Sequence, residues 1–441
     1  MKNLTPGTRD FFSTFGGQVG AISIALITQA MLARALEPSG RGSLYVCQVF
    51  QATLAMIFAV GCDTAALYYV SSRKFSISEG ITYTLLNGSI SSILAMTAGW
   101  FLISSKLAFF SKATELEFRL SLLLVPLTIF SLVFQGLLTA VGRYGAFGTA
   151  TLTRALVLVV AVFGLVWVGE LGVVGSIWAN ILAYLASLLF SVYVLVFREK
   201  ATLVKPRLSN VKTMLSYGLR YYFGKLSNTA NLQIGPILLG FLVPKQELGF
   251  FSIAYRLLDQ IQSIPHALAT ILLPRVSSSK HGRTELVARL ARVALTVCGL
   301  ILLSIAALAT PLVRFLFTDQ FIPAVPVIRI LCLASAFRIL TKIFAPYLLG
   351  INHPGFTSLA MGTGGVGNII LILALVPGLG IVGAAGGLAG GYLLSTSMLV
   401  LGFCHFSGLS FRETFTWKKS DFREVRNLWE TIGVRLRKNA S

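Results

Sequence analysis

Charge is scarce in this chain, and negative charge scarcest: its 441 residues include 16 Asp and Glu, and only 12% of all residues are charged. Histidine occurs four times. General acid–base catalysis and metal ligation draw on carboxylates, imidazoles and clustered thiols, so little of that chemistry is within reach. The five cysteines, Cys47, Cys62, Cys298, Cys332 and Cys404, are odd in number and scattered, with no CxxC pair and no Cys/His cluster. They read as small packing residues, not as a disulfide framework or a metal site. A GxxxxGK[ST] loop, a GxSxG elbow and an HExxH pair are all missing. Gly362-Thr-Gly-Gly-Val-Gly367 satisfies GxGxxG, but no strand precedes it, and with Gly383 to Gly391 it reads as small-residue helix packing. An enzyme, an ATPase and a metal or cofactor protein are therefore not expected.

What the chain does contain is apolar sequence in long runs. Hydrophobic residues make up 55% of it, and its mean hydropathy is +0.79. A soluble domain of this length has nowhere to bury so much, which leaves a polytopic membrane protein. Strand-type alternation is absent and the runs reach the roughly 20 residues of a spanning helix, so an outer-membrane barrel is excluded. Twelve spans are predicted, at about 11–34, 44–72, 82–104, 118–141, 147–168, 173–197, 214–242, 248–275, 286–309, 325–350, 356–377 and 381–404. The segment Pro311 to Gln320 either extends the ninth span or lies in the interface. Lys2 and Arg9 precede the first run with no small-residue cleavage site, which makes that run a retained helix.

The net charge of +21 would suit nucleic acid, but its distribution points to membrane orientation. With the N-terminus in the cytoplasm, cytoplasmic loops and tail hold 23 Lys and Arg against 8 on the other side, so both termini are expected to be cytoplasmic. An internal repeat supports the span count. The turn Glu37-Pro-Ser-Gly-Arg-Gly42 leads to Ser43-Leu-Tyr, and Pro244-Lys-Gln-Glu-Leu-Gly249 leads to Phe250-Phe-Ser, about 207–210 residues later. Gly142-Arg-Tyr-Gly145 and Asn352-His-Pro-Gly355 recur at the same separation. The expected fold is all-α, with about twelve transmembrane helices in two six-helix lobes, parallel repeats around a central cavity. The lobes are 1–197 and 214–404, joined by a basic cytoplasmic linker at 198–213. The tail, 405–441, mixes Phe415, Trp417, Trp429 and Ile432 with basic residues and reads as an amphipathic helix on anionic lipid, or as a solvated extension.

Some of these residues resemble a known family. Arg34-Ala-Leu-Glu-Pro-Ser-Gly-Arg-Gly-Ser-Leu-Tyr45 resembles the turn between the first two helices of polysaccharide flippases. Gly249-Phe-Phe-Ser-Ile-Ala-Tyr-Arg256, Ile264-Pro-His-Ala-Leu and Leu273-Pro274 resemble their eighth helix. The family is the Wzx-type flippases, within the multidrug/oligosaccharidyl-lipid/polysaccharide exporter superfamily. Glu37 stands where the first turn usually has Gly, and Arg41 precedes the Gly of that turn. The resemblance implies movement of an undecaprenyl-pyrophosphate-linked oligosaccharide across a bacterial cytoplasmic (inner) membrane by alternating access. Membrane lipids, glycosyltransferases and a polysaccharide polymerase are the partners it implies. The sugar and the pathway (O-antigen, capsule or exopolysaccharide) stay open.

Polar stripes mark where the pathway would run. Arg220, Gly224, Ser227 and Asn231 share one face of the seventh span, and Ser252, Arg256, Asp259, Gln260 and Ser263 one face of the eighth. Ser335, Arg338, Thr341 and Lys342 do the same in the tenth. A membrane helix with such a stripe faces protein or water there. The intramembrane charges are six cations, Arg154, Arg220, Lys225, Arg256, Arg338 and Lys342, against Asp63 and Asp259. Internal pairing cannot neutralise that excess, and a pyrophosphate with its sugar would. Each residue also has a plainer role: Arg154 and Arg220 as snorkelling side chains, Arg154 with Asp63 as a pair, Arg256 with Asp259 as an i, i+3 pair. Asp63 and Asp259 are alternatively sites coupling transport to a proton or sodium gradient. An organic-cation antiporter of the same superfamily would need an acidic cavity. A non-transporting scaffold for glycan assembly would have no use for stripes at the midplane.

Overall fold

Backbone groups immersed in hydrocarbon have no water to bond, so a chain of this composition satisfies them within helices. The computed structural model describes residues 6–59, 61–105, 107–261, 283–351 and 353–417, and every regular element among them is helical. In chain order they are α1 (Pro6–Phe58), α2 (Cys62–Ser71), α3 (Ile77–Ile103), a 3-10 turn (Ala108–Lys112), α4 (Glu115–Leu122), α5 (Leu124–Ala140), α6 (Tyr144–Val162) and α7 (Gly172–Tyr193). Then come α8 (Leu208–Leu242), α9 (Lys245–Ile261), α10 (Arg283–Ala307), α11 (Ala309–Leu316), α12 (Ala324–Gly350), α13 (Pro354–Ser407) and α14 (Phe411–Phe415). The predicted spans fall on helix in this series, the second divided between α1 and α2 and the fourth between α4 and α5; the second half of the eighth, His266 included, lies outside the described residues. Seven helices among the described residues are long and apolar enough to cross a membrane. The least enclosed of them, α6 with the π-helical turn Phe163–Val168 that continues it, turns Val160, Phe163 and Val168 outward. Apolar side chains exposed along a helix this way belong against lipid.

Two of the helices are hairpins. A straight α13 would be roughly 80 Å long, far beyond the ~30 Å hydrocarbon core. It reverses at Gly380 (φ 54°, ψ −136°). Behind the bend Gly387 lies against Ile372, and Gly391 against Gly364 and Asn368, approaches so close that any Cβ would collide. The glycines of this stretch are thus helix-packing residues, as their spacing suggested. α1 breaks at Glu37 (φ 55°, ψ 176°), just before Pro38. The segment left open between two readings does not continue the ninth span as one helix: after Leu308 the chain starts a separate short helix, α11.

The chain forms two compact units. The first comprises Met1–Leu257, Thr310–Val325 and Val376–Ala384, the second Leu258–Ala309, Pro326–Leu375 and Ala385–Ser441. In the first unit, Tyr83, Val133, Phe134, Leu137, Leu195 and Met214 are among the residues of a buried core. The linker is strapped along this unit: the backbone N–H groups of Thr202 and Val204 donate to Ser78 and Thr82 hydroxyls, both at 3.0 Å. In the second unit, Ala288, Phe344, Leu348, Leu399 and Phe403 pack together. There the buried Arg292 pairs with Glu285 and donates to the carbonyls of Glu413 and Thr414, holding α14 in place. The remainder of the tail, from residue 418, lies outside the described residues.

Candidate functional site

Within the first unit the two repeated turns cross each other. A Cβ on Gly42 would overlap the carbonyl oxygen of Lys245, and a Cβ on Gly249 would overlap that of Pro38. Both pairs obey one offset, since 249 − 42 and 245 − 38 are each 207, so the contact is a pseudo-two-fold one. Flanking contacts keep that offset. Arg34 donates to the carbonyls of Phe315 and Leu316 at the end of α11. At the equivalent place Phe109 of the 3-10 turn packs on Gly240 and Phe241 of α8. The loop after the third span of each half therefore grips the first span of the other half. Gly380 packs beside the Glu247 carboxylate in the same unit.

Two arginines with neutral partners belong to the same unit, Arg41 in the first turn itself and Arg256 on α9. Arg256 donates from Nη2 to Gln48 Oε1 at 2.7 Å, and Arg41 from Nη2 to Gln29 Oε1 at 2.8 Å. Arg41 is 3% exposed, and its Nε has no hydrogen-bond partner among the described residues. Burial, then the positive charge of Arg256, push its pKa from 12.5 down to about 9, so it remains charged at neutral pH. Arg154, on α6, lies over the Tyr184 ring at 4.9 Å. Among the described residues neither Arg154 nor Arg256 has a carboxylate partner.

The second unit holds the other cluster. Arg338 Nη1 meets Asp259 Oδ1 at 3.3 Å, with side chains 16% and 42% exposed. This corrects one reading: Asp259 pairs with Arg338, 79 residues away, and not with Arg256. The Arg338 guanidinium also lies 5.9 Å from the centre of the Tyr392 ring. Lys342, one turn further along α12, is close enough for the charges of both Arg338 and Asp259 to act on it. Thr341 and Thr396 share a hydrogen bond at 2.8 Å, and Thr396 donates to the Phe337 carbonyl at 2.9 Å. These bonds fix α12 against the second arm of α13.

Of the predicted site residues, Arg338, Lys342 and Asp259 thus come together, while Arg154 and Arg256 sit in the first unit. The side chains of Asp63, Arg220, Lys225, Asn231 and Gln260 lie outside the described residues. Sequence reading passed over Arg41, assigned to a loop, and Gln48, Gln29 and Tyr392. Gln29 and Gln48 were detectable as amides inside apolar runs. Tyr392 carried no signal beyond its four-residue spacing to Thr396.

A family profile described as "Polysaccharide biosynthesis protein" matches residues 8–280. No curated protein sequence matches the chain. Among solved structures, the lipid II flippase MurJ in an inward closed conformation superposes with a TM-score of 0.76 at 12% identity, over 92% of this chain and 89% of that one. An outward-facing multidrug resistance MATE family transporter of the MOP superfamily gives 0.62 at 16% identity, over 91% and 96%. A MOP superfamily transporter from Pyrococcus furiosus, described as having a binding pocket of reverse polarity that suggests a different function, gives 0.61 at 16% identity, over 91% and 96%. At these identities the likeness is one of fold.

Proposed function

The chain belongs to the polysaccharide biosynthesis protein family, and from that premise we propose that it is a flippase. Its substrate would be an undecaprenyl-pyrophosphate-linked oligosaccharide, moved from the inner to the outer leaflet of a bacterial cytoplasmic membrane. The observation that carries this reading is a pair of arginines, both within spans predicted from the sequence, that are held by neutral groups: Arg256 by Gln48 and Arg154 by Tyr184. A charge taken out of water is costly unless paired or hydrated. A site that keeps guanidinium groups on amide and aromatic partners leaves them able to fork onto phosphate. Arg338 and Lys342 extend the cationic character, with Arg220 and Lys225 proposed alongside them and Asn231 and Gln260 as polar contacts for the glycan. An organic cation would meet like charge at each of these places, which argues against the antiporter reading.

The proposed mechanism is alternating access between lobes 1–197 and 214–404. The crossing at Gly42 and Gly249 would then be the contact that seals one side and separates when that side opens. Asp63 and Asp259 stand as the carboxylates through which a proton or sodium gradient would act. Membrane lipids and the enzymes that build and polymerise the glycan are the proposed partners. The test is binding of an undecaprenyl-pyrophosphate glycan to the purified protein across a salt series. Saturable binding that weakens with salt and is lost in Arg338→Ala is expected. No binding, together with ion-coupled efflux of a cationic dye, would replace this reading with the antiporter.

A further inference from the structure

The Asp259–Arg338 pair is lopsided. The Nη1–Oδ1 contact of 3.3 Å is long against the ~2.7–2.9 Å of a charge-assisted bond between a cationic nitrogen and a carboxylate. The carboxylate is the outer member, 42% exposed, and the guanidinium the inner, 16% exposed. Arg338 is held from behind by the Tyr392 ring, and its helix is tied to α13 through Thr341 and Thr396. Asp259 can therefore leave without taking Arg338 with it. The Tyr392 hydroxyl, on the ring beside the Arg338 guanidinium, is buried and has no hydrogen-bond partner among the described residues. A hydroxyl removed from water and left unbonded is a standing cost. It is recovered when an oxygen arrives to accept its proton.

We propose that Asp259 is an internal competitor of the substrate: its carboxylate holds the place on Arg338 that a phosphoryl oxygen of the lipid headgroup takes, and Tyr392 donates the additional hydrogen bond that completes the anion subsite. This rests on the flippase reading and specifies how its cationic cluster works. Among the described residues a second cation, Lys342, lies one turn from Arg338 on the same helix, so a phosphoryl group, more highly charged than a carboxylate, suits the place better. The exchange also answers a requirement of transport. A guanidinium left bare in a membrane is expensive, and one saturated by a tight ligand does not let go. With Asp259 at hand, Arg338 passes from one anion to another and back, and the substrate is released by displacement.

The test compares wild type, Asp259→Asn, Tyr392→Phe and Arg338→Ala as purified full-length proteins. The probes are undecaprenyl pyrophosphate and inorganic pyrophosphate, with thermal midpoints recorded for each variant. Removing the competitor should tighten binding in Asp259→Asn by about tenfold while slowing release and hence flipping. Tyr392→Phe should weaken binding about fivefold while its thermal midpoint holds or rises, because the variant removes the unbonded hydroxyl. Tightening for both probes assigns the subsite to the phosphoryl group itself, and tightening for the lipid alone assigns it to lipid-borne pyrophosphate. Unchanged or weaker binding in Asp259→Asn overturns the proposal, as does unaltered binding in Tyr392→Phe should Asp259→Asn fail to fold. Absence of binding by wild type and every variant would sink the flippase reading itself and this proposal with it.

Discussion

Single residues here carry more strain and more unpaired polarity than their neighbourhoods suggest. Glu37 combines φ 55° with ψ 176°, a region of backbone space that is essentially the preserve of glycine and costs a side-chain-bearing residue about 1–3 kcal/mol. The following Pro38 helps to impose it, because a residue before proline is kept out of the helical well. Glu37→Gly should therefore raise the thermal midpoint of the purified protein by about 1–2 °C, net of the extra freedom glycine brings to the unfolded chain. A lowered midpoint would mean that the glutamate side chain contributes more than its backbone loses. Arg41 shows the same tension in another form. Its guanidinium is buried and charged, with one nitrogen unsatisfied among the described residues. Neither feature follows from a residue's place in a loop between two hydrophobic runs.

At the scale of elements, the turns that link first to second and seventh to eighth spans act as one interlocked piece. Their glycines are required because a backbone carbonyl of the opposite turn occupies the space of each Cβ, and no rotamer change relieves a collision with backbone. Gly42→Ala should force the crossing apart, and Gly249→Ala should do the same by symmetry. The measurement is hydrogen–deuterium exchange of peptides covering both turns, expected to rise about tenfold in either variant. Because one collision already separates the turns, the double variant should exchange no faster than either single one. Additive effects would show two independent loops. The linker is a second case. Its composition reads as a polar connector, yet it runs as an extended strap whose backbone groups bond to Ser78 and Thr82 of α3.

Across the whole molecule, the apolar surface and the sorting of basic residues act together. Outward-facing side chains such as Phe101, Phe197 and Phe315, all more than 70% exposed, match lipid and mismatch water. The 23-to-8 partition of cations expected from the sequence would orient such a body with both termini in the cytoplasm, because basic segments resist translocation. A fluorescent protein fused after Ser441 should therefore be bright, and alkaline phosphatase at the same point inactive. The reverse pattern would invert the assignment and place the tail outside. Both results bear on the tail as a ligand for anionic lipid, which requires the leaflet where such lipids are held.

What the sequence determined by itself is whatever depends on neighbouring residues and on the bilayer. Hydropathy over about twenty residues located the helices, since a fixed hydrocarbon thickness demands a fixed length of apolar helix. The 207-residue echo of one turn in another revealed the internal repeat, and the short supply of acids identified cations in search of partners. Tertiary structure alone decided who meets whom. Gln48 reaches Arg256 across 208 residues, Asp259 takes Arg338 in preference to the arginine three positions before it, and Gly42 finds Lys245. A buried charge or a bare backbone is governed by the few ångströms around it, and here those ångströms are filled by segments far away in the chain.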